Sequence, residues 1–150
     1  QRGLSRGNNM SYSAARATQA YASVGAQSRV SAASPHRLIQ LLMDGALDRL
    51  AIAKGHMQRR DVPQKVNAVN RAMSIIDGLR MSLDHNIDSD MSDNLENLYD
   101  YMNRRLLLAN INNDTAGLDE VSSLLRELKE AWDAIPDGLQ GEQAMASLTM

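Results

Sequence analysis

The side chains able to do acid–base or metal chemistry are few and scattered along this chain. The glutamates are Glu96, Glu120, Glu127, Glu130 and Glu142, and the histidines are His36, His56 and His85. A di-metal carboxylate site inside a helical bundle needs Glu-x-x-His on two helices and a further Glu on each of two others. None of these glutamates has a histidine three residues later. His36 falls at a helix start, His56 at a helix end and His85 in a connection, and the first two lie off the inward face of their helix. No metal ligand and no cofactor is expected from this set. The chain has no cysteine, which excludes disulfides and thiolate metal sites. No Ser/His/Asp or Cys/His constellation is written locally, and no G-x-x-x-x-G-K-[S/T] or G-x-G-x-x-G loop is present to cradle phosphate. The chain reads as a binding protein rather than an enzyme.

The composition narrows the partner. The 150 residues suit one domain with one core, and the formal charge of −2 disfavours binding by phosphate neutralisation. Arg59-Arg60 and Arg104-Arg105 are the basic doublets and have no aromatic ladder beside them, so no nucleic acid is expected. No apolar run approaches the ~18 residues of a membrane span, and the opening residues do not read as a secretion signal. The expected compartment is the cytoplasm, with no membrane insertion. The aromatic residues are one Trp and four Tyr, with no Phe. A core of Leu, Ile, Val, Met and Ala suits packed helices better than a sheet.

Helices must position whatever this chain binds with. Residues 1–12 read as an unstructured leader, with Met10 a natural start and the residues before it left over from expression. Residues 13–136 read as a single helical-bundle domain and 137–150 as a flexible tail. From Ser13 to about Ser23 a short alanine-rich helix is expected, with Tyr21 and Val24 its sizeable apolar groups. Gly25 to Ser34 reads as a linker. Ser34 then caps a helix opened by Pro35. Pro63 opens the next, where Val66, Val69, Met73, Ile76, Leu79 and Leu83 recur at the helical period. Met91, Leu95, Leu98, Met102, Leu106 and Ala109 line a third, and Asp114 or Thr115 caps a fourth built on Leu118, Val121, Leu125, Leu128, Trp132 and Ile135. Short connections favour antiparallel neighbours. The predicted fold is all-α: an antiparallel up-down four-helix bundle with a short N-terminal helical cap.

Two of these helices carry more apolar surface than one core needs. In the first long helix Ile39, Leu42, Met43, Ala46, Leu50, Ala53 and Met57 form the inward stripe, at about 100° per residue. Leu38, Leu41, Gly45 and Ile52 make a second stripe. In the third, Tyr101, Leu108 and Ile111 line a separate face with the stem of Arg104 among them, and Leu107 is a further outward residue. Bare apolar stripes of this kind mark docking surfaces. Amphipathic helices of another chain, anchored at helical spacing, fit them. The Tyr21–Val24 segment is expected to shield the groove until a partner displaces it. Self-association through the same stripes, giving a weak homodimeric regulatory bundle, is the competing reading.

The residues that carry this argument also resemble a known family. Ala20-Tyr21, Val30-Ser31-Ala32-Ala33-Ser34-Pro35 and Leu41-Leu42-Met43-Asp44-Gly45-Ala46 resemble the opening of the flagellar secretion chaperone FliS family. Tyr99-Asp100-Tyr101-Met102-Asn103-Arg104-Arg105-Leu106 and Ala109-Asn110-Ile111-Asn112-Asn113-Asp114 are similar to its second signature, and Val121 through Trp132 fit its last helix. The resemblance spans roughly residues 20 to 135. It implies a cytosolic helical chaperone without enzymatic activity that binds the disordered C-terminal segment of flagellin. Such a chaperone prevents early polymerisation and hands its cargo to the flagellar export gate, with other flagellar proteins as further partners. By position, Tyr21 belongs to the N-terminal cap region, Leu41 and Gly45 to the first signature, and Tyr101, Arg104, Leu108 and Asn110 to the second. Met43 stands where the family often has an aromatic residue before Asp-Gly, and methionine can fill an irregular apolar site there.

Overall fold

A computed structural model describes residues 12–23 and 34–136. The chain forms α1 (Ala14–Ser23), α2 (Pro35–Gln58), α3 (Val62–Met81), α4 (Ser89–Asn112) and α5 (Thr115–Asp133). Among the described residues the only extended pairing is an isolated bridge between Tyr12 and Leu83. Each long helix starts where a short polar side chain closes its first turn. Ser34 accepts from the Arg37 N–H, Asp61 from Gln64, Asp88 from Met91 and Asp114 from Ala116. Each such cap is worth about 1 kcal/mol. Helix α3 begins one residue ahead of the expected Pro63, because Asp61 is the cap and Val62 takes the first helical position.

The long helices close a ring: α2 packs on α3 and α5, α4 packs on α3 and α5, and α1 lies across α2 and α3. Cross-links between α2 and α5 show the antiparallel sense. Lys54 meets Asp119 at 2.9 Å, Asp44 meets Lys129 at 3.5 Å, and Gln40 meets Asp133 at 2.8 Å. Such exposed pairs contribute little stability and serve mainly to set register. The expected inward stripes of α2 to α5 form one core, from Ile39, Leu42 and Met43 through Leu118, Val121 and Leu125. Helices α4 and α5 approach most closely at Gly117. A Cβ there would stand 2.7 Å from both Ala109 Cβ and Arg105 Nη1, so only glycine fits without displacement.

One end of the bundle is sealed by an aromatic plug that periodicity could not reveal. Tyr12, assigned to the leader from composition, is buried. Its ring meets Trp132 edge-on at 5.2 Å, and its hydroxyl hydrogen-bonds the buried Tyr99 hydroxyl. His36 stacks on Trp132 at 4.8 Å. The Trp132 indole N–H donates to the His36 carbonyl at 3.0 Å, and His36 Nε2 donates to the Trp132 carbonyl at 3.0 Å. A carbonyl only accepts, so Nε2 carries the proton. His36 is therefore an inward residue, correcting its expected outward placement. At the start of α2 its surroundings are set by the plug rather than by the helix's own apolar stripe.

Burial pushes both plug phenols, Tyr12 and Tyr99, above the ordinary tyrosine value of 10. Both are neutral in the fold, whereas the unfolded chain ionises them from about pH 10. Their contribution is complete below that pH and is lost as pH rises above it, by about 1.4 kcal/mol per pH unit for each tyrosine. Denaturant midpoints taken from about pH 9 to 11 are expected to fall. Tyr99→Phe, which removes one of the two phenols, should make that fall measurably shallower; an unchanged slope would contradict the assignment.

Candidate docking surface

Helix α4 turns Leu95, Tyr99, Met102, Leu106 and Ala109 inward. At about 100° per residue, the opposite side carries Tyr101, Arg104, Leu107, Leu108 and Ile111. Among the described residues, α4 is flanked by α3 and α5, and these residues of its outer side are exposed. Leu107 and Leu108 are about half exposed, at 51% and 52%, and Ile111 reaches 68%. Arg104 is exposed among them. The Tyr101 hydroxyl donates to Glu120 on α5, and Arg105 Nε meets the same carboxylate at 2.7 Å. These two bonds hold the Glu120 carboxyl below its ordinary value. The ring of Tyr101 is thereby pinned at one edge of the apolar face.

The second expected stripe, on α2, is divided by α1. Leu38 is only 1% exposed. It belongs to the same buried cluster as Ala17, Ala20 and Tyr21, so it is part of the core and not of the expected exposed stripe. The period of α2 could not show this, because burial depends on packing between separate segments. Leu41 is half-buried against the core, and Tyr21 is itself buried as part of the cover. At Gly45 a Cβ would meet only Ile75 Cδ1, at an ordinary 3.5 Å. Crowding within the chain is therefore not what requires glycine at position 45. The close approach is at Gly78 on α3, where a Cβ would sit 3.3 Å from the Ala20 Cβ of α1. Further along α2, Ile52 remains exposed. Val24 lies outside the described residues, as do the expected linker and the 137–150 tail.

Val62 and Met81 on α3 are also exposed apolar residues. Both sit at helix ends, where the periodicity of a stripe gives no signal. Asn103 and Asn110, seven residues apart on α4, each bury a side-chain carbonyl oxygen that has no partner among the described residues. His85 is drawn between Asp93 at 3.1 Å and Glu96 at 3.3 Å, close enough together to resemble a ligand set. Arg80 shares Glu96 at 3.5 Å and binds Asp77 at 2.8 Å, so ion pairing between α3 and α4 accounts for the cluster. Among the described residues no helix is long and apolar enough to cross a membrane.

The described residues form an all-helical bundle in which one helix carries exposed apolar side chains. Comparison with known proteins makes this specific. Residues 17–138 match the family described as flagellar protein FliS, and the chain belongs to that family. It is similar to flagellar secretion chaperone FliSB of Pseudomonas aeruginosa, 49% identical over 122 residues that cover 81% of this chain and 97% of that protein. It is also similar to flagellar secretion chaperone FliS of Vibrio cholerae, 43% identical over 79% of this chain and 87% of the relative. The Salmonella typhimurium protein of the same name is 45% identical over 78% of this chain and 87% of its own length. The family is one of chaperones and not of enzymes.

Proposed function

We propose that this chain is a cytoplasmic export chaperone. It holds the disordered C-terminal segment of flagellin, keeps it from polymerising and presents it to the flagellar export gate. The exposed face of α4, formed by Tyr101, Arg104, Leu107, Leu108 and Ile111, carries this reading. Covering the free part of each apolar side chain there is worth roughly 1 kcal/mol, or several in total. Ordering a disordered partner costs about 2–5 kcal/mol or more. The α4 face alone thus comes close to break-even, and a useful chaperone needs a second contact. Ile52 on α2 supplies one, and α2 and α4 stand diagonally across the bundle. A partner that reaches both must wrap around it.

Helix α1 is the element such a partner would displace. It has ten residues, and it is held by buried Ala17, Ala20 and Tyr21, by a bond from Arg16 to the Leu83 carbonyl at 2.7 Å, by the Ser13 N–H on the Ser82 carbonyl at 2.7 Å and by Tyr12 just ahead of it. An isolated helix of that length is marginal in water.

Calorimetric titration with a synthetic flagellin C-terminal peptide tests the proposal. Coupled folding should give saturable binding with a large negative heat-capacity change. Absence of binding heat, together with dimerisation through the α4 face, would transfer that face to self-association and defeat the reading.

A further inference from the structure

A cationic cavity lies where the end of α2, the start of α3 and the end of α4 meet. The cavity measures about 430 Å³, and His56, Arg60, Asp61, Val62, Lys65 and Asn113 are among its lining residues. Asn113 immediately follows α4, two residues beyond Ile111, and Val62 adds an exposed apolar side chain to the rim. Its charge is unbalanced. Asp61, the lone carboxylate of the lining, already caps α3 and lies 3.8 Å from His56 Nδ1. Lys65 is only 5% exposed, and its ammonium donates to the Asn110 carbonyl at 2.7 Å and to Asn113 Oδ1 at 2.9 Å. Neither acceptor carries a formal charge, and the negative pole at the end of α4 is what the ammonium meets.

Arg60 adds an independent observation. It has a φ of 61° in the turn that ends α2. The Asp61 N–H reaches the His56 carbonyl at 2.9 Å, and the Arg60 N–H reaches that of Met57 at 3.2 Å. This is the helix-ending geometry in which glycine is the ordinary residue. The turn has no need of a guanidinium, and Arg60 has no ion pair among the described residues. A strained arginine and a buried ammonium thus face one cavity in a chain whose net charge is −2.

From this geometry, and resting on the function proposed above, we infer that the cavity receives the free α-carboxylate at the end of the partner helix lying along α4. A helix running parallel to α4 brings its C-terminal end to Asn113. That end carries the negative pole of the helix in addition to its carboxylate. The volume accommodates a terminal residue together with the carboxylate. Arg60 contacts the anion at the mouth, and Lys65 supplies the buried positive charge.

The test compares two forms of the flagellin C-terminal peptide, one ending in a free acid and one in an amide, on the wild-type chain and on Arg60→Gly. Glycine suits the positive φ, so this variant should melt higher than wild type; Arg60→Asn, which also tolerates that φ, is the second variant. On wild type the amide is expected to bind about tenfold more weakly than the acid, the worth of one charge-assisted contact. On either variant the gap should shrink to about twofold, through weaker binding of the acid. Equal affinity of acid and amide for wild type would overturn the carboxylate pocket while leaving the α4 docking surface standing. Equal weakening of both peptides by Arg60→Gly would overturn it as well, and would assign the pocket to a side-chain contact. Failure of both peptides to bind wild type would remove the inference together with the function on which it rests.

Discussion

Replacing Trp132 with alanine is expected to lower the unfolding free energy by about 3–5 kcal/mol, the range for an aromatic residue removed from a packed interior. Trp132 is the chain's single tryptophan and is buried at the meeting point of α2, α5 and the N-terminal segment. Its loss removes the stack with His36, the edge contact with Tyr12 and the indole bond to the His36 carbonyl. The cavity left behind cannot close easily, because its walls come from separate elements. Since a domain is typically stable by only 5–15 kcal/mol, this one change would consume a large share of the margin. Denaturation followed by circular dichroism measures it. A loss below about 1 kcal/mol would mean that the plug seals nothing of consequence.

The second large effect is expected on binding and not on folding. Leu108→Asp combined with Ile111→Gln should weaken binding of the flagellin C-terminal peptide by about a hundredfold or more, since a charge would have to be buried where apolar surface was. Both residues are more than half exposed, and exposed substitutions usually move stability by no more than about 0.5 kcal/mol each. The melting temperature should therefore remain close to wild type. Unchanged affinity in this double variant would remove α4 from the docking surface. By contrast, Leu38→Asp should unfold the protein, because Leu38 is core. Comparison of the two aspartates separates the covered stripe from the free one.

The caps and periods that build the helices lie within a few residues of each other, so they can be read along the chain. Ser34 before Pro35, Asp114 before Thr115, and the three-and-four spacing from Leu118 to Trp132 all specify helices by local chemistry, and the helices form there. The surplus apolar residues of α2 and α4 are equally visible in the sequence. Whether each is covered is not, because Leu38 and Leu108 are the same side chain on the same kind of stripe. Among the described residues, helix α1 packs on α2 and α3 and not on the outer face of α4, and that choice depends on contacts between distant segments. The same holds for Tyr12, joined to Tyr99 and Trp132 across most of the chain, and for the cavity that gathers Arg60 and Lys65 beside Asn113. Local hydrogen bonding and periodicity settled the helices, and sequence similarity settled the family. Exposure, burial and the position of charge were settled only when the helices packed, because each depends on a neighbour that the local sequence does not contain.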